Sequence, residues 1–247
     1  MKSNGNKLGT NAAEAWSDRP TLAERGVAGR WECVVRLGLV IVGLGLWFFT
    51  QWLISGKGFP EHGIGDAVHT WTAGMNAYLL AHDGAANGLL IVSSTVINIL
   101  AVFVLGRAIF GPSLRPFVGL VILFGLRQIC QSMTALPAPE GMIWREPGFP
   151  GGLVTYGVSN DLFFSGHTAI AVFGAVELAR LRGWGWKVLG VAIALFEVLT
   201  VLVLRAHYTM DVFTGIVTAL GVQGAMAWVG PRMDQGLARL MGRGGPA

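Results

Sequence analysis

Two short stretches hold residue types that can move a phosphoryl group. In Arg205-Ala206-His207-Tyr208-Thr209-Met210-Asp211, His207 and Asp211 are four apart, so on a helix they share one face. A carboxylate there accepts a proton from one imidazole nitrogen, fixes the tautomer and leaves the other nitrogen free to attack. That is a nucleophile with its orienting group. The same pair also fits a polar cap, since Asp is favoured at helix starts. In Asn160-Asp161-Leu162-Phe163-Phe164-Ser165-Gly166-His167-Thr168, Gly166 lets a ligand approach the backbone, and free amides at a helix start attract anions. His167 then stands over a bound phosphate as acid/base. The alternative is Ser165 or Asp161 as an N-cap, with His167 a satisfied interfacial histidine.

Two arginines extend the pattern. Arg127 lies in a long apolar run about ten residues before Pro137, and an ionised group inside a membrane span points to function. Arg205 precedes His207 by two. Guanidinium suits phosphate oxygens through paired hydrogen bonds, so no metal or cofactor is expected. The competing reading of Arg127 is a buried ion pair with Glu197.

These residues need membrane helices to position them. Of 247 residues, 53% are hydrophobic and 13% charged, against about 25% charged in a soluble protein. Mean hydropathy is +0.56. Disorder is excluded by this hydrophobicity, and two cysteines, Cys33 and Cys130, exclude a disulfide scaffold. A bilayer core of about 30 Å needs roughly 20 mostly apolar residues. Such runs fall at 37–54, 88–106, 117–136, 162–181, 188–204 and 212–229. The expected fold is an all-α integral membrane bundle of six transmembrane helices. It comprises a polar arm over 1–35, a catalytic membrane domain over 36–230 and a tail over 231–247. Residues 21–36 read as a short interfacial helix, and the arm lacks the features of a signal peptide.

Thirteen Lys and Arg residues fall in the two termini and in the second-to-third and fourth-to-fifth loops, against three (Lys57, Arg145 and Arg205) on the other side. Both termini are therefore expected in the cytoplasm. This bias accounts for a pI near 9.4 without nucleic acid, for which there is no basic stripe or motif. By the same topology all five histidines fall on the extracytoplasmic side, where a site is expected. A plasma or inner membrane fits, as does a Golgi-like membrane. His62 and His69 are seven apart, a conceivable zinc pair, but no third ligand has metal spacing, so His62, His69 and His82 read as interfacial. The sequence carries no signature of oligomeric state.

Phe164-Ser165-Gly166-His167-Thr168 and His207-Tyr208-Thr209-Met210-Asp211-Val212 resemble the two signature motifs of sphingomyelin synthases, in the type-2 phosphatidic acid phosphatase-like superfamily. Arg127 followed by Thr134-Ala135-Leu136-Pro137 is similar to a third stretch of those enzymes. Phe149-Pro150-Gly151 with the same two motifs also resembles plant phosphatidylcholine:diacylglycerol cholinephosphotransferases. The likeness covers about residues 88–220. It implies that His207 is the nucleophile, Asp211 its orienting acid and His167 the general acid/base. Arg127, Arg205, Tyr208, Asp161 and the Ser165–Gly166 turn would then hold the phosphate. Phospholipid and lipid-alcohol substrates follow, with a phosphocholine-like head group passing to diacylglycerol or ceramide. Two alternatives remain: a lipid phosphate phosphatase, and a non-enzymatic transporter or scaffold built on Arg127, Glu177 and Glu197. The phosphatases' lysine-to-Arg-Pro motif is incomplete here. Ala108 stands where its lysine would, and Arg115-Pro116 reads as a cytoplasmic loop feature.

Overall fold

The computed structural model describes residues 22–56, 63–148, 152, 154, 156 and 162–240. Asp161, His62 and the Phe149-Pro150-Gly151 stretch lie outside the described residues. The chain divides into two units at Phe59/Pro60. The described residues of the first form α1 (Leu22–Ser55), a helix of 34 residues. The interfacial helix expected over 21–36 is therefore the first half of a longer one. Within it Val34–Ser55 is long and apolar enough to cross a membrane.

The second unit is also helical, with no strand among the described residues. Two short helices come first, α2 (Ala67–Trp71) and α3 (Ala73–Ala81), in what the sequence presents only as an outer loop. Then follow α4 (Asp83–Phe110), α5 (Arg115–Met133), α6 (Gly166–Ala179), α7 (Trp184–Val203) and α8 (Thr209–Leu240). Helices α4, α5, α7 and α8 join the α1 segment as candidate spans, which makes five among the described residues. The third expected span stops early: α5 ends at Met133 and Thr134 turns extended, ahead of Pro137, through which a helix could not run undisturbed.

The fourth expected span differs most. Residues 162–165 are not helical, and α6 has only 14 residues, about 21 Å at 1.5 Å each, short of a bilayer core. It is instead the central helix, packed on α4, α5, α7 and α8. Most of its residues from His167 to Leu178 are buried. A short helix is tolerated at such depth when protein surrounds its non-helical end. Two small residues let neighbours close in. A Cβ on Gly190 of α7 would come within 2.9 Å of the Ala175 carbonyl oxygen on α6. A Cβ on Gly174 would overlap the Leu100 side chain of α4.

The far end of α6 is fixed by charge. Glu177, fully buried, accepts two bonds from Arg115 Nη2 at 2.8 and 3.0 Å and one from Gln223 Nε2 at 3.0 Å. Arg115 and Pro116 thus open α5 and anchor it to α6, rather than lying in a loop. Glu197 bonds Ser93 Oγ at 2.6 Å and its other oxygen has no hydrogen-bond partner among the described residues. The ion pair with Arg127 weighed from the sequence is therefore replaced by a hydroxyl contact.

Candidate active site

The start of α6 and the start of α8 form one structure. Ser165 is the N-cap of α6, and its hydroxyl accepts the Thr168 N–H at 3.3 Å. The Ser165 N–H donates to the Asp211 carbonyl at 3.1 Å, so a backbone bond joins the two motifs. Gly215 makes room for this contact: a Cβ there would stand 2.9 Å from the Ser165 carbonyl oxygen. Just before Ser165, the Phe164 carbonyl accepts Arg127 Nε at 2.8 Å. A Cβ on Gly166 would approach the same Nε at 3.2 Å. The glycine of the first motif therefore makes space for the guanidinium.

His207 lies in the tight turn from α7 to α8. Arg205 in that turn has φ 51, a left-handed conformation uncommon outside glycine. His207 Nδ1 is 3.7 Å from Asp211 Oδ2, with both side chains buried. The same carboxylate oxygen accepts the Tyr208 N–H at 2.9 Å. Asp211 thus caps α8 and faces His207, and the two readings drawn from the sequence describe one residue. At 3.7 Å the pair is looser than a hydrogen bond, as is common without substrate.

Arg127, Gly166, His167 and His207 meet on a cavity of about 280 Å³. His167 Nε2 and His207 Nδ1 are buried without a hydrogen-bond partner among the described residues. Trp144 lines the cavity and meets the His167 ring edge-on, at 5.1 Å and 86°.

The other expected residues serve different ends. Arg205 borders a second cavity, with Asp66, His69 and Tyr208, and not the first. It donates to the Glu140 carbonyl at 2.6 Å and the His69 carbonyl at 3.3 Å. The Tyr208 hydroxyl donates to the Pro137 carbonyl at 3.1 Å. Burial, then the Asp211 and Asp66 charges, push this phenol above its ordinary 10.0, so it stays a donor. The Ser165 hydroxyl is spent on its own helix.

A clamp around the His207 turn has no motif of its own. Asp66 caps α2 through the Val68 and His69 N–H groups. It also accepts the Thr209 N–H at 2.6 Å and the Thr209 hydroxyl at 2.7 Å, capping α8 as well. Burial alone would raise the Asp66 carboxyl, but the Thr209 bonds and His69 together hold it below its ordinary 3.8. His69 Nε2 bonds the His207 carbonyl at 3.0 Å, and its ring stacks on Tyr208. His69 is thus buried in the clamp. His82 bonds the Tyr78 carbonyl through Nδ1. Among the described residues no group of three or more His, Cys, Asp or Glu could hold a metal ion. Asn76 adds bonds to the carbonyls of Gly141 and Val203. Gly141, at φ 73, has no room for a Cβ beside Asn76 Oδ1, which would lie at 2.8 Å. The Asp66-Ala67-Val68 sequence signals an N-cap, but nothing local announces a partner 143 residues away.

Residues 66–227, which include the clamp, both motifs and Arg127, match the model of the AtPDCT1/2 family. The chain belongs to this family. It is 26% identical over 102 residues to phosphatidylcholine:diacylglycerol cholinephosphotransferase 1 of Arabidopsis thaliana, and 24% identical to number 2 of the same plant. The match covers 41% of this chain and 33% of each relative, so about a third of their length. No solved structure matches. Family membership sets the plant cholinephosphotransferase likeness ahead of the sphingomyelin synthase one, and lipid phosphotransfer is the chemistry its named members share.

Proposed function

We propose that this protein moves a phosphocholine-type head group from a phospholipid to a lipid alcohol through a covalent phosphohistidine. The observation that carries the reading is the cavity on which Arg127, His167 and His207 converge. His207 attacks phosphorus, forming an N–P bond as the P–O bond to the lipid breaks. Asp211 behind it steadies the imidazolium. His167 gives its proton to the departing lipid oxygen. It then takes the proton of the acceptor hydroxyl, whose oxygen displaces His207 from phosphorus and restores the free imidazole. Arg127 supplies the positive charge for the phosphoryl oxygens. The Ser165 and Thr168 amides are already bonded, so Gly166 and His167 provide the amides that a phosphoryl oxygen can reach. The Asp161 role stays as the motif suggests it. Arg205 acts through the turn it braces. The relatives' names favour diacylglycerol over ceramide as acceptor; the sphingomyelin synthase likeness keeps ceramide as a second acceptor to assay.

In the proposed topology α6 joins the five longer helices as a sixth membrane element. Both termini face the cytoplasm and the cavity opens near the other face of a plasma or inner membrane. The excess of thirteen basic residues over three supports this orientation.

The test is purified protein in vesicles with head-group-labelled phosphatidylcholine, with and without diacylglycerol or ceramide. Label in a new lipid that depends on the alcohol supports transfer. Water-soluble label released regardless of the alcohol makes the protein a hydrolase. No label movement with folded protein ends the enzymatic reading.

A further inference from the structure

The catalytic cavity is polar at one end only. From the histidines it continues as an apolar slot between α4 and α5. On α4, Ile97, Ala101 and Leu105 line it; on α5, Leu120 and Phe124 do. Both sets keep the four-residue spacing of one helix face. From Ile97 to Leu105 the slot runs about 12 Å along α4, and from Arg127 back to Leu120 about 10 Å along α5. Ile97 and Ala101 are buried, whereas Leu105, Leu120 and Phe124 are half-exposed. The slot is therefore closed against the bundle and open along the α4–α5 seam.

We infer that this slot binds the glycerol backbone and first methylenes of one acyl chain, admitted sideways through the α4–α5 seam. The inference rests on the lipid phosphotransfer reading. A single polar end with an apolar length beyond it matches an amphiphile whose reacting group sits at its head. Length restricts the occupant further. At about 12 Å along α4 the slot is shorter than one leaflet of hydrocarbon, about 15 Å, so it takes the reacting end of one lipid and leaves the rest of its chains in the bilayer. Donor and acceptor then use the slot in turn.

Leu120→Trp would fill the slot from the α5 side. Val121→Trp, one residue on and 55% exposed, would project outside it. The assay compares transfer from phosphatidylcholine in mixed micelles with transfer from methyl phosphocholine, which carries the same head group and neither glycerol nor acyl methylenes. Leu120→Trp should lower the lipid-to-soluble ratio about tenfold, the effect of displacing roughly two methylenes, and Val121→Trp should leave the ratio unchanged. An unchanged ratio in Leu120→Trp, or an equal shift in both variants, overturns the slot. Should Leu120→Trp fail to fold, the wild type decides, photolabelled with a phosphatidylcholine carrying a diazirine close to the ester. Label on residues 97–105 and 120–127 supports the slot; label confined to α7 and α8 overturns it. Label in the slot without any transfer by the wild type would count against the enzymatic reading and leave the slot standing.

Discussion

Asp66→Ala should abolish the proposed transfer without touching the cavity on which the two histidines meet. In the native protein one carboxylate takes four bonds: Val68 N and His69 N at 2.9 and 3.3 Å, and Thr209 N and Oγ1 at 2.6 and 2.7 Å. It caps two helix starts. Each Asp cap lost to alanine costs about 1 kcal/mol, and bonds to a charged acceptor raise that. The total comes to roughly 2–4 kcal/mol. Thr209 is two residues from His207, so release of the clamp moves the nucleophile. A displacement of about 1 Å lowers turnover about 100-fold. The expected result is a lower Tm in detergent and a fall in kcat larger than any rise in KM. Asp66→Asn keeps one acceptor oxygen but turns an amide donor toward Thr209, so it should fall between. There is also a pH signature. The folded-state carboxyl lies below 3.8, so its contribution is complete above about pH 4. It is lost as pH falls through the folded value, and Asp66→Asn should lack that acid limb. Asp66→Ala with wild-type Tm and kcat within twofold would refute the clamp.

Three further outcomes follow from other parts of the molecule. His207→Ala should lose at least about 1,000-fold in transfer, since members of such a unit act together. It should also take up no label from the donor, where the wild type carries an acid-labile one. Glu177→Ala strands the buried Arg115 guanidinium and should cost about 3–5 kcal/mol, seen as a lower Tm, with Glu177→Gln milder. Gly190→Val drives a side chain into the Ala175 backbone and should cost about 1–3 kcal/mol by thermal unfolding, while leaving the spectroscopic helix content near native.

Long apolar runs made α1, α4, α5, α7 and α8 legible, because lipid leaves the backbone few options. The chemical residues stood out because an apolar chain keeps few titratable groups, and His167, His207 and Arg127 do line one cavity. Three things were hidden. The apolar run at 162–181 looks like any span, yet its first residues leave the helix so that the Phe164 carbonyl can hold Arg127. Arg205 has the type and position of a phosphate ligand, but the carbonyls that occupy it come from His69 and Glu140, far along the chain. The partner of Asp66 is equally remote. Short-range patterns report periods and caps; they carry no information on which loop a folded chain returns to.

The bond from the Ser165 amide to the Asp211 carbonyl has an evolutionary consequence. With Arg127 pinned on the neighbouring Phe164 carbonyl, both histidine motifs and the cation form one backbone-linked block. A motif grafted alone would leave the Ser165 amide or the Asp211 carbonyl without this partner. Helix α5 enters the block through Arg127, whereas Leu105, Leu120 and Phe124 line the seam with apolar side chains. Descendants of this architecture are thus free to change which lipid they accept by altering α4 and α5, while the reacting end is inherited whole.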